Sequence, residues 1–172
     1  MHETEADLVA LQTLLDRSYA GAGDHLRRVI TEERRLNAEG VALRLTGVCL
    51  LALATVSSDG RPVAGPVDGI FYRGSFHFGT APDSVRVRHI RRHPAVSAVH
   101  LPGEELAVTV HGHARFIDVN ADERAGFRRT LLDIYVPRYG TDWERMLESG
   151  ATYLRIDAEK MFTFHMESEA DR

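Results

Sequence analysis

Residues 47–72, GVCLLALATVSSDGRPVAGPVDGIFY, set two apolar runs on either side of a Ser-Asp-Gly turn. A connection that short cannot carry a crossover, so the two runs must pair antiparallel as a hairpin. The first run is apolar at both alternating sets of positions, which predicts a strand covered on both faces. The second contains Pro66 and two glycines, which make it irregular.

Further strand signals follow in GSFHFGT, AVSAVHL and LAVTVHGHARFID, the first two separated by one helical stretch and the last two by PGEE. TYLRIDA and MFTFHM read as two short final strands. Between them and Val119, ADERAGFRRTLLDIY and TDWERMLESG carry helical periodicity, the latter ending at Gly150. Many short strands with few helices favour a closed antiparallel barrel, because closure removes exposed edges. The expected class is mainly β with flanking helices.

The segment from Thr4 to about Leu45 is helical in pattern. Leu8, Leu11, Leu14 and Leu15 recur at spacings of three and four before Gly-Ala-Gly breaks the helix. Asp24 is placed to cap a second helix bearing Leu26, Val29, Ile30 and Leu36, with Gly40 at its end. Residues 1–45 therefore form an N-terminal helical extension, and residues 46–172 the barrel domain.

Composition narrows the function classes. At 172 residues, 44% hydrophobic and 27% charged, the chain has enough apolar surface for one folded core. A net charge of -4 excludes a surface built as a polyanion footprint, so no nucleic-acid partner is expected. Cys49 stands alone in an apolar run, which rules out a disulfide within the chain and fits a reducing cytoplasm. The N-terminus has no basic leader, and no apolar run reaches the roughly 18 residues that a spanning helix needs. No membrane association is expected.

One basic cluster survives the charge argument. In FGTAPDSVRVRHIRRHP, residues 78–94, a strand runs through a loop into a helix beginning near Ser84. Helix N-termini offer unpaired N–H groups and partial positive charge, so Thr80, Ser84 and Arg86 could together hold an anion. Arg86 and Arg88 reach one anion only if Arg86 lies in the loop or first turn, since residues two apart point to nearly opposite helix faces. The alternative is a solvated helix face.

The stretches LATVSSDGRPVAGPV, FHFGTAPDSVRVRHIRRHPAVSAVH and VTVHGHARFI resemble the pyridoxamine 5'-phosphate oxidase-like family of flavin-binding split barrels. The likeness spans roughly residues 45–117, with a weaker echo at 153–164. It implies a six-stranded antiparallel split barrel, a homodimer, and FMN in a groove between subunits. Thr80 and Ser84 match family residues that hold the cofactor phosphate, Arg86 stands where a lysine is usual, and Arg88 falls at a position often basic. Pro66, Val67 and Asp68 match the strand that runs beside the isoalloxazine ring. His89 stands where asparagine is common, which suggests a hydrogen-bonding role.

Departures from the family pattern limit the reaction. Leu106-Ala107 replace the Arg-Gln pair of true pyridoxamine-phosphate oxidases, and YLRIDAEKMFTFHM lacks their C-terminal tryptophan block. Oxidation of vitamin B6 phosphates is therefore not expected. The resemblance implies a flavin-dependent oxidoreductase moving hydride to or from a small molecule, with no catalytic side chain assigned. The wider family leaves open a reductase using coenzyme F420, or a non-catalytic flavin or haem binder. His111 and His113 share a strand face, yet no third ligand is identifiable, so no metal is expected. Tyr135, Tyr139 and Trp143 are read as covering a barrel end.

Overall fold

The computed structural model describes residues 1–148 and 150–166. Helix α1 (Glu5–Ala20) starts at a reciprocal cap, in which the Thr4 hydroxyl accepts from Asp7 N and the Asp7 carboxylate accepts from Thr4 N. The expected second long helix is instead broken. Helix α2 (Asp24–Val29) stops at Ile30, a 3-10 turn covers Glu32–Arg34, and helix α3 (Ala38–Arg44) begins afresh. Val29, Ile30 and Thr31 are successive β-branched residues, and the Asn37 side chain offers a better start, its Oδ1 accepting from Gly40 N at 2.7 Å. Gly40 thus lies inside α3 rather than ending a helix, and Gly23, not Asp24, is the N-cap of α2.

Six strands close into a barrel: β1 (Cys49–Val56), β2 (Pro62–Tyr72), β3 (Ser75–Thr80), β4 (Ala95–His100), β5 (Leu106–Ile117) and β6 (Thr152–His165), ordered β1-β2-β3-β6-β5-β4. All pairs are antiparallel. Helix α4 (Val85–Arg92) bridges β3 and β4, while α5 (Ala125–Tyr139) and α6 (Asp142–Glu148) fill the connection from β5 to β6. The class is as expected. Among the described residues no helix is long and apolar enough to cross a membrane.

Two strands differ from their sequence reading. β1 alternates: Cys49, Leu51, Leu53 and Thr55 face the core, while Leu50 on the outer face is 62% exposed. The chain's own core covers one side of the strand only. The expected pair of C-terminal strands is one continuous β6, because the polar step at Ala158–Lys160 is absorbed by a bulge. Pairing shifts from His111↔Lys160 to Gly112↔Ala158, which leaves Glu159 as the extra residue. A Cβ on Gly112 would meet the Asp157 carbonyl oxygen at 2.1 Å, so the bulge requires glycine there.

β6 pairs with β3 only through Thr152–Arg155. Farther along, α1 supplies what the missing strand would. Ser18 Oγ accepts from Met161 N at 2.9 Å; Tyr19 Oη accepts from Thr163 N and donates to the Thr163 carbonyl, both at 2.7 Å. Leu11, Leu15, Leu36 and Val41 share one core with Leu51, Phe78, Val110 and Leu154. The N-terminal helices therefore pack as part of the barrel's wall and core.

Candidate functional site

Three of the expected anion-binding residues converge. Ser84 caps α4, its Oγ accepting from Val87 N at 3.2 Å and lying 3.1 Å from Thr80 Oγ1 at the end of β3. Arg86, in the first turn of α4, folds back rather than outward. Its guanidinium donates to Thr80 Oγ1 at 3.3 Å and to the Pro66 carbonyl on β2 at 3.2 Å. The guanidinium lies close over Gly65, where a Cβ would stand 3.4 Å from it. Arg88 turns the other way and donates to the Asp83 carbonyl at 2.7 Å.

Arg86 is half-buried, and burial pulls its pKa below the usual guanidinium value. Among the described residues no carboxylate pairs with it. A cation partly withdrawn from water, with two hydroxyls beside it and only neutral acceptors, is a donor set suited to a phosphate. The solvated-face alternative does not describe Arg86, although it does describe the exposed Arg91 and Arg92.

Pro66 and Asp68 lie on the outer face of β2, opposite Ala52 and Leu50 of β1. Val67 between them is 7% exposed, with its side chain in the core, so only its backbone can meet a ligand from outside. Apart from Asp68, the outer positions of this pair carry small or apolar side chains: Leu50, Ala52, Ala54, Ala64 and Pro66. His89 hydrogen-bonds Thr55 Oγ1 through Nδ1 at 3.0 Å, fastening α4 to β1.

Sequence reasoning missed a pocket of about 550 Å³ beside Thr80. Asp68, Tyr135, Tyr139, Trp143 and Tyr153 are among its walls. Tyr135 stacks on Trp143 with ring centroids 4.5 Å apart and planes 18° from parallel, and on Tyr139 at 6.1 Å and 23°. Burial, followed by the nearby Asp68 charge, raises the phenol of Tyr135 well above its ordinary pKa and that of Tyr153 to about 12. The aromatic residues were visible in DIYVPRYGTDW, but their approach to Asp68 depends on how α5 and α6 fold back on β2.

His111 and His113 do not act together. His111 Nδ1 hydrogen-bonds Ser97 Oγ at 2.8 Å, and His113 Nδ1 lies 3.2 Å from Glu159. Among the described residues no group of three or more His, Cys, Asp or Glu side chains is arranged to hold a metal ion.

A family model described as pyridoxamine 5'-phosphate oxidase matches residues 41–165. No curated protein matches the chain. Among solved structures, a conserved hypothetical protein from Mycobacterium tuberculosis aligns with a TM-score of 0.61 at 19% identity, covering 78% of this chain and 88% of that one. HutZ, the heme storage protein from Vibrio cholerae, aligns at 0.58 and 16%, covering 80% and 99%. A FAD-binding protein from Mesorhizobium loti aligns at 0.56 and 21%, covering 78% and 97%. At such identities these likenesses speak for the fold alone.

Proposed function

As the chain belongs to the pyridoxamine 5'-phosphate oxidase family, we propose that it is an FMN-dependent oxidoreductase acting as a homodimer on a small molecule. The observation that carries this reading is Arg86, a half-buried guanidinium without a carboxylate partner among the described residues, bracketed by Thr80 and Ser84. That corner would hold the cofactor phosphate. Bound there, FMN supplies two-electron hydride chemistry. The chain itself supplies anchoring, orientation and exclusion of water. Arg86 would neutralise the phosphate, the Thr80 and Ser84 hydroxyls would donate to its oxygens, and the outer face at Pro66–Asp68 would lie beside the ring.

The homodimer reading is supported by that same face. Leu50 is 62% exposed, and Ala52, Ala64 and Pro66 lie on the same outer face. An apolar sheet face of this kind is better covered, and a second copy laid over it would wall the groove on its open side. Leu106 and Ala107 at the start of β5, and a β6 without tryptophan, support a substrate other than a vitamin B6 phosphate.

Titration of the purified protein with FMN and with riboflavin, followed by flavin fluorescence, tests the reading. Tight binding of FMN and much weaker binding of riboflavin is the expected result. A protein that ignores FMN but gains a Soret band with haem, or binds only coenzyme F420, overturns it.

A further inference from the structure

Arg86 and Asp68 bring opposite charges to one ligand seat without neutralising each other. Arg86 donates to Thr80 Oγ1 and to the Pro66 carbonyl, and the pocket that Thr80 lines also carries Asp68, two residues along β2. No arginine, lysine or histidine pairs with the Asp68 carboxylate among the described residues. A neutral phenol, Tyr135 Oη, donates to it at 3.3 Å.

A phosphate held on Arg86 would take up that guanidinium's charge, leaving the carboxylate uncompensated in the same seat. Tyr135, Trp143 and Tyr153 in the pocket wall are buried. Asp68 itself is exposed, and a ligand filling the pocket would displace the water that screens it. With water displaced, a charge acts over a longer range than it does in bulk solvent. The field reaches both buried phenols: burial first, and the Asp68 charge next, hold Tyr135 and Tyr153 above the ordinary tyrosine pKa.

Reduction of a flavin by two electrons and one proton leaves the ring with a negative charge unless a second proton follows, so charges near it set how easily it is reduced. We infer that Asp68 tunes the bound flavin, lowering its reduction potential by disfavouring the negatively charged reduced form. The inference rests on the flavin reading and deepens it. A flavin biased in this way passes electrons on to a substrate more readily than it withdraws them. Asp68 acts through its charge and needs no contact with the reacting atoms.

The test equilibrates the FMN-loaded full chain with a reference dye during slow reduction at neutral pH and reads the midpoint from flavin absorbance. Asp68→Asn keeps an acceptor for Tyr135 Oη and removes the charge. It should favour the reduced over the oxidised flavin on the order of tenfold, the effect of one charge within about 10 Å at an effective dielectric of about 20. For a two-electron couple that is a midpoint about 30 mV higher. Asp68→Glu should return the midpoint to that of the unsubstituted chain. Tyr135→Phe, which removes the hydrogen bond and keeps the charge, should not raise it.

A midpoint unchanged or lowered by Asp68→Asn, with FMN still bound, defeats this inference and leaves the flavin reading standing. An equal rise in Tyr135→Phe also overturns it, because the contact between α5 and β2, rather than the charge, would then be the cause. So does a raised midpoint in Asp68→Glu equal to that in Asp68→Asn. Failure of the unsubstituted chain to bind FMN defeats the flavin reading itself and takes this inference with it.

Discussion

Tyr135 donates its phenol hydrogen to Asp68 Oδ2 across 3.3 Å, tying helix α5 to strand β2. The bond is long and one partner is exposed, so its contribution to stability is modest. Tyr135→Phe should cost about 1 kcal/mol or less, read as a small drop in the urea midpoint, with the Trp143 stack intact. A loss of about 3 kcal/mol would mean that the hydroxyl organises the whole α5–α6 cover.

His77 gives the fold an acid-sensitive point. Its ring is buried 4.4 Å from Phe127, with Nδ1 donating to the Ser75 carbonyl at 3.1 Å, and burial pushes its pKa from 6.5 down to about 3. The unfolded chain takes up this proton near 6.5 and the folded chain does not. Stability from this group is therefore complete above pH 6.5 and lost as pH falls toward 3, with a slope of up to about 1.4 kcal/mol per pH unit. His77→Phe should flatten that slope in urea titrations. A His77 resonance of the folded protein, assigned by its loss in His77→Phe, that titrates near 6.5 would contradict it.

The phosphate corner predicts a difference between two ligands. Arg86→Ala should weaken FMN by about 1.5–3 kcal/mol, the range for a hydrogen bond to a charged group. Riboflavin, without a phosphate, should lose much less. Equal losses for the two would reduce Arg86 to a brace between Thr80 and the Pro66 carbonyl.

Leu50→Arg tests the sheet face. The residue is 62% exposed and its side chain is not part of the core, so the fold should survive. Light scattering at micromolar protein should change from a dimeric to a monomeric mass. A monomer before substitution, with FMN bound, would remove the homodimer from the reading.

FMN-loaded protein should not turn over pyridoxamine or pyridoxine phosphate at a useful rate, given Leu106, Ala107 and the altered β6. Sustained pyridoxal phosphate production with matching oxygen uptake would show that other residues replace the missing ones.

Much of this architecture is legible in local pattern. The Ser-Asp-Gly hairpin, the cap at Ser84 and the convergence of Thr80, Ser84 and Arg86 follow from turn chemistry and from helix termini, which act over a few residues. The break after Val29 was hidden because the apolar spacing of Leu26, Ile30 and Leu36 mimics one helix; their burial is achieved by separate segments. The single β6 was hidden because a bulge lets a polar step pass without ending the strand. The outer face of β1 and the Asp68 pocket depend on what lies across from them, and hydrophobic period carries no information about that.

Tyr19 and Thr163 are bonded across 144 positions of chain. During synthesis the helix that seals the barrel leaves the ribosome well before the strand edge that it seals. At about 5–20 residues per second this separation lasts on the order of ten seconds. Throughout that interval Leu11 and Leu15 lack the surface that later covers them. Over that interval helix α1 is exposed to holding chaperones and to misassociation, and a slower-translated message would lengthen that exposure without changing a residue.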